Sequence, residues 1–339
     1  MSEMPHELNK KVVWSLWNGL DTSDAAASDA AWQHMSAQFV FHGFDPIATL
    51  AGVSGFLYGH WLPLRHSFPD LVRRTHIFMA GQSNGRVDGD LSRDGQFWVG
   101  ATGLFEATFV RDYLGIPASG KPVSIRWGDF YRVVDGQIVE TYALIDLIDL
   151  MQQVGIQVLP PSRAKDHIYP PPAAGDGVLT SPQNPALTSA SLAHIREFIF
   201  QGLNRYDRSE LTSMGMARYF GPDMQWFGPG GIGACFGLRE FEELHQRPWL
   251  VAYPDRQVQD LTALIAEGAY SGGPGWAGVL ATHTGPYLDC PATHRHIAIN
   301  GLDWWKRSGD QYVENWVFVD MIHLFRQFGI DLMARMRRT

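Results

Sequence analysis

The chain has 339 residues, a formal net charge of −8, 45% hydrophobic and 18% charged residues, which excludes a disordered or fibrous chain. An acidic balance without basic blocks argues against nucleic acid and an anionic membrane surface as partners. No apolar run approaches the roughly 20 residues that span a bilayer, residues 1–11 are polar with no visible signal peptide, and two cysteines, Cys235 and Cys290, suit a reducing, cytoplasmic setting.

In chain order, residues 8–20 carry Val12, Val13, Leu16, Trp17 and Leu20 at helical spacing. The Ala-rich residues 24–38 read as a second helix. Phe39-Val40-Phe41-His42 reads as a short strand, and residues 53–65 as a third helix ending before Pro69. Over residues 72–147 apolar and polar residues alternate between turn signals at Ser83-Asn84-Gly85, Arg93-Asp94-Gly95 and Asp135-Gly136. Asp-Gly accepts the positive φ angles of a tight hairpin turn. Residues 145–154 return to helical spacing. Helices first and a long antiparallel meander after them make the class α+β.

The same course begins again at Ser191. A step of 174 positions carries Asp129-Phe130-Tyr131-Arg132 onto Asp303-Trp304-Trp305-Lys306 and Glu140-Thr141-Tyr142 onto Glu314-Asn315-Trp316. The same step carries Asp146 onto Asp320 and Gln153 onto Gln327. At a step of 185, Gly43, Phe56, His60, Pro63 and Asp70 meet Gly228, Phe241, His245, Pro248 and Asp255. The chain therefore reads as two copies of one domain, residues 1–157 and 190–339. Residues 158–189 hold Pro160, Pro161, Pro170, Pro171, Pro172, Pro182 and Pro185 and read as a semi-extended linker.

The string Asp129-Phe130-Tyr131-Arg132, then residues 135–142, Asp146 and Gln153-Val154-Gly155, resembles the C-terminal signature of the SnoaL-like polyketide cyclases, a family of the nuclear-transport-factor-2-like superfamily. Phe68-Pro69-Asp70 is similar to that family's turn after its third helix, and Tyr253-Pro254-Asp255 repeats it. The resemblance implies two tandem cone-shaped α+β barrels (cystatin-like), each a curved antiparallel sheet around three helices with a deep pocket. It implies a small-molecule substrate, no cofactor, and an intramolecular pseudo-dimer that leaves a further homodimer open. It also implies that a pocket aspartate moves protons beside a carbonyl, in cyclisation, isomerisation or dehydration. Asp146 matches that aspartate by its place after the Glu-x-aromatic strand.

Alternation along the last strand puts Glu140, Tyr142, Leu144 and Asp146 on one face and Val139, Thr141, Ala143 and Ile145 on the other. The second copy has Glu314, Trp316, Phe318 and Asp320 against Val313, Asn315, Val317 and Val319. The aromatic, carboxylate-bearing face is expected to line the pocket, and the small, β-branched face to meet the other copy. In apolar company Asp146 and Asp320 would be poised for acid–base work; Asp is equally a strong cap for the helix that starts there. His42, His60 and His245 are candidate proton partners, with packing imidazoles the plainer alternative. Tyr131 or Tyr142 is a candidate donor to a carbonyl.

Trp127, Asp129, Glu140 and Tyr142 in copy one, with Trp226, Asp303, Trp305, Glu314 and Trp316 in copy two, are expected to shape the substrate sites. Glu140 and Glu314 have Arg132 and Lys306 as alternative, cross-strand partners. Copy two has Phe227 and Gly230 where copy one has His42 and Asp45, so copy one is the expected active copy. The Gly-rich residues 228–233 match a dinucleotide-binding string without its βαβ setting, and Cys290, His294 and His296 lack a clear fourth ligand, so neither nucleotide nor metal is expected. The competing function is a non-catalytic binding protein for an apolar or aromatic metabolite, with Asp146 engaged only as a cap.

Overall fold

The computed structural model describes residues 5–84, 92–205, 216–259 and 261–337. Gly85 of the first turn signal lies outside the described residues. The chain opens with α1 (Pro5–Leu20) and α2 (Asp24–His34), and the Ser23 hydroxyl accepts the Ala26 N–H to start the second. α2 stops short of Gln38, because Met35 already pairs with Ile138 and β1 (Met35–His42) begins there. Next come β2 (Thr49–Ala51) and a helix in three pieces: α3 (Gly52–Phe56), a π-helical turn (Leu57–Trp61) and α4 (Leu62–Ser67). Pro63 has no N–H to give the carbonyl one turn back, and the helix widens beside it. Pro248 does the same in the second domain after the π-helical turn Glu242–Gln246.

β3 (Val72–Gln82), β4 (Phe97–Thr108), β5 (Pro122–Val134), β6 (Gln137–Ile145) and α5 (Leu147–Gln153) complete the first domain. Its sheet runs β2-β1-β6-β5-β4-β3, antiparallel except between β1 and β6. The second domain repeats this plan. It has α6 (Pro185–Glu197), β7 (Phe220–Phe227), β8 (Ala234–Phe236), α7 (Leu238–Phe241), α8 (Arg247–Ala252), β9 (Gln257–Val258) and β10 (Ile265–Glu267). β11 (Tyr270–Thr282), β12 (His296–Ser308), β13 (Gln311–Val319), α9 (Met321–Gln327) and α10 (Leu332–Met336) follow. Its sheet runs β10-β11-β12-β13-β7-β8, again with one parallel pair, β13 and β7. Two α+β domains, each a sheet around helices, are what the sequence led us to expect. No helix among the described residues is long and apolar enough to cross a membrane.

One detail of the hairpin controls everything downstream. Asp135 and Gly136 take φ angles of 49° and 75°, as the turn requires. Val134 then pairs with Gln137 and Val133 with Ile138, but the next pairs are Arg132 with Glu140, Tyr131 with Thr141, Asp129 with Ala143 and Trp127 with Ile145. Val139 is the extra residue of a β-bulge. A one-residue slip turns over every later side chain relative to its partner strand. In the second domain Arg307 pairs with Tyr312 and Lys306 with Glu314, so Val313 is the extra residue there. The expected faces are therefore reversed. Thr141, Ala143 and Ile145 join Asp129 and Tyr131 inside the cone, while Tyr142 and Trp316 turn outward.

The outward faces pack sheet on sheet. Phe130 stacks on Trp304, its own counterpart, with centroids 4.7 Å apart. Tyr142 meets Trp276 edge-on at 5.3 Å. Part of the chain between the domains lies on the same layer: Tyr169 packs on Phe318, and Trp316 donates its indole N–H to the Pro170 carbonyl at 2.9 Å. Gly128 makes room for this layer, since a Cβ there would stand 2.6 Å from the Trp304 ring. Gly128→Val should therefore cost about 1–3 kcal/mol by overpacking, read as a lower urea midpoint; an unchanged midpoint would refute the tight fit.

Candidate functional site

Asp146 does not reach the interior of the cone. Its Oδ1 accepts the Asp149 N–H at 2.9 Å and caps α5, and its Oδ2 accepts the N–H of Gly230, from the second domain, at 2.7 Å. Arg126 stands 3.4 Å away. Asp320 repeats the arrangement, capping α9 through the His323 N–H at 3.0 Å and accepting the Asp45 N–H, from the first domain, at 2.8 Å. Asp45 and Gly230 are themselves counterparts, so the two carboxylates form reciprocal clasps between the domains. Burial raises both, Asp320 to about 7. Neither lines a cone cavity. Their predicted place facing substrate is corrected, because the bulge turned the strand over.

The same correction moves Glu140, Tyr142, Glu314 and Trp316 outward, and His42 lies with them. Glu140 accepts from the Tyr142 hydroxyl at 2.8 Å and Arg132 at 2.8 Å, and pairs with His42 at 3.2 Å. Burial alone would raise Glu140, but the His42 and Tyr142 hydrogen bonds and the charges of Arg93 and Arg132 hold it at about 2. Glu314 accepts the Ala173 N–H at 2.8 Å and lies 3.6 Å from Lys306. His42, Tyr142, Glu314 and Trp316 thus belong to the outer layer, not to a pocket.

Inside the first cone, the residues expected there do converge: Trp127, Asp129, Tyr131 and His60 line one space. That space is almost full, at about 20 Å³. Arg73 fills it. Its guanidinium pairs with Asp21 at 2.9 Å and lies 4.6, 5.4, 4.8 and 4.9 Å from the rings of Trp17, Trp61, Phe105 and Trp127. The Tyr131 hydroxyl donates to Asp129 at 2.7 Å and accepts the Trp17 indole N–H at 3.0 Å. Burial raises Asp129 to about 6. His60 stacks on Phe41 at 4.7 Å, and burial with the Arg73 charge lowers it to about 3.

The second cone holds a cavity of about 170 Å³. The difference follows from six positions. Val258 stands for Arg73 and Asn204 for Asp21, and their contact survives as paired hydrogen bonds of 2.8 Å between the Asn204 side chain and the Val258 backbone. Gln246 stands for Trp61, Val279 for Phe105 and Gly301 for Trp127. Phe200, in the place of Trp17, packs against Arg196 instead. The charge and most of the box around it are gone, and the emptied space remains. Copy one was expected to be the active copy; its cone is nearly filled, and the open cavity is in copy two.

Asp303, His245, Trp226, Trp305 and Asn315 line that cavity. Asp303 sits deep in the domain with part of its surface bare to the cavity. Burial pushes its carboxyl to about 7, against one hydrogen bond from the Asn315 amide that favours the charged form. His245 stacks on Trp226 at 4.0 Å. Burial, then the charge of Arg256, lowers it to about 3, so its imidazole is neutral and keeps an N–H to donate. Gln246 escaped the sequence reading, and Asn315 was expected on the face that meets the other copy, whereas it lines the cavity. The signal for Gln246 was the repeat itself, which sets a polar residue where the first copy has the bulky Trp61.

Residues 15–154 match the family model for SnoaL-like polyketide cyclases. Among solved structures, the chain is similar to IdmH, a candidate polyketide cyclase from Streptomyces antibioticus, at 18% identity over 44% of this chain and 99% of that one, with a TM-score of 0.35. A candidate SnoaL-like polyketide cyclase from Jannaschia sp. CCS1 is 21% identical over 45% of this chain and 96% of its own, with a TM-score of 0.34. AclR, a candidate hydroxylase from Streptomyces galilaeus, is 19% identical over 42% and 82%, with a TM-score of 0.34. No curated protein matches.

Proposed function

From the match of residues 15–154 to the SnoaL-like polyketide cyclase family model, we propose that this chain is a cofactor-free small-molecule enzyme of that family, working from the cavity of its second domain. The observation that carries this reading is the place of Asp303, a half-buried carboxyl on the wall of an open apolar cavity, whose setting pushes it up to about 7. A carboxylate with that affinity for a proton is suited to general-base work near neutral pH.

As the carboxylate, Asp303 takes a proton from the carbon beside a substrate carbonyl. The C–H electron pair becomes the C=C bond of an enolate, and the carbonyl π pair moves to oxygen. The neutral imidazole of His245 is the donor available to that oxygen, while the Asn315 amide is held by the Trp304 carbonyl at 2.9 Å and by Asp303 itself. Asp303 then returns the proton at another position, giving isomerisation, or the enolate carbon closes on a second carbonyl, giving a ring. The first domain, filled by Arg73, takes the structural part of the pseudo-dimer.

The test is carbon-acid exchange in D2O, followed by NMR on a panel of small cyclic ketones. Asp303→Asn should suppress deuterium uptake at the α-carbon, while Asp129→Asn leaves it unchanged. Uptake that survives Asp303→Asn, or is lost in Asp129→Asn, overturns the assignment.

A further inference from the structure

The first domain shows, in its own side chains, what the emptied space of the second is shaped to hold. Trp127 puts an indole there, stacked on Phe105 with centroids 5.3 Å apart. Gly301 and Val279 remove both rings from the second cone without closing it, since the cavity persists at about 170 Å³. A 150 Å³ apolar cavity is already large enough for benzene. Three fused rings would demand much more.

A second observation bears on polarity. Gln246, which replaces Trp61, is buried at 4% exposure and lines the same cavity. Its Oε1 has no hydrogen-bond partner among the described residues. A buried acceptor left unmade costs about 1–3 kcal/mol; Oε1 is itself closed off from the cavity surface, so a donor brought by a ligand meets it through a turn of the Gln246 amide, which lines the cavity. In the first domain Trp61 and Trp127 both flank the Arg73 guanidinium, at 5.4 and 4.9 Å, so the counterpart positions Gln246 and Gly301 border one small volume.

We infer that the second domain binds a flat one- or two-ring aromatic compound bearing an N–H or O–H donor, its ring in the space that Trp127 fills in the first domain and its donor on Gln246 Oε1. The inference rests on the same cavity as the proposed function but not on its proton transfer.

Titration calorimetry on the full chain tests it, with indole, 1-methylindole and carbazole as probes. Indole should bind, 1-methylindole at least tenfold more weakly because it leaves Oε1 unpaired, and carbazole not at all. Gln246→Leu should erase the difference between the first two. Val279→Phe, which restores the residue of the first domain, should weaken indole at least tenfold. It is a better filler than a residue at Gly301, where a Cβ would stand 2.7 Å from the Phe318 carbonyl oxygen. Carbazole binding as well as indole, indole and 1-methylindole binding alike, or an indole affinity indifferent to Val279→Phe would each overturn the inference. Binding that persists in Asp303→Asn while exchange is lost leaves both readings standing. Binding in a protein that never exchanges α-protons overturns the enzyme and keeps the ligand.

Discussion

Asp303→Asn is expected to cut α-proton exchange by about 10²–10⁴-fold and, in the same molecule, to raise stability at alkaline pH. The sign follows from where the carboxyl titrates. Its ordinary value is 3.8 and burial moves it to about 7 in the folded domain. Below the ordinary value the group is neutral in both states and costs nothing. Between the two values the unfolded chain ionises while the folded one holds its proton, so stability falls as pH rises. Above the folded value the whole penalty is present, on the order of 4 kcal/mol. Asparagine removes a charge that burial disfavours. Urea unfolding at about pH 4 and pH 8 should show a gain in the variant only at the higher pH. The wild-type exchange rate should climb to a plateau with a midpoint near 7. A gain of equal size at both pH values would mean that Asp303 is not the buried acid described.

Arg126→Met should be strongly destabilising. The guanidinium is buried and lies 3.4 Å from Asp146 and 3.0 Å from Asp149, and it donates to the Gly228 carbonyl of the second domain at 2.8 Å. Removing it leaves two buried carboxylates without their cation, a loss of about 3–5 kcal/mol. Asp146 would move further up, and the loss should shrink as acid protonates it. Because the cluster joins both domains, hydrogen exchange at the Gly230 N–H should accelerate with the global loss. Slow exchange at Gly230, or a loss below about 1 kcal/mol, would show that the clasp does not hold the domains together. His167, which pairs with Asp149 at 2.9 Å, is the remaining cationic partner when protonated.

Much of the architecture was legible because it is local or periodic. The hairpin at Asp135-Gly136 follows from the φ angles that pair of residues tolerates. The doubling follows from a register that carries Asp146 onto Asp320 and His60 onto His245. Trp127, Asp129 and Tyr131 reach the first cone, and Trp226, Asp303, Trp305 and His245 the second, as their strand and helix positions suggested. Glu140, Tyr142, Asp146 and their counterparts did not, and the cause is one residue per hairpin. Val139 and Val313 look like any other strand valine. A bulge leaves the local alternation intact and alters only its phase relative to the partner strand, so a single strand carries no trace of it.

By itself, then, the sequence determined the α+β class, the doubling, the turns and the chemical types placed on each strand, because these depend on neighbours a few positions away or on a repeat that can be aligned. Only the tertiary structure decided which face of β6 and β13 looks inward and which cone is open. The first depends on pairing across a bulge. The second depends on Arg73 meeting Trp17, Trp61, Phe105 and Trp127 from separate elements, and on the loss of that meeting in the second copy. Contacts between distant segments set both, and through them they set which aspartate faces a ligand and which fastens two domains.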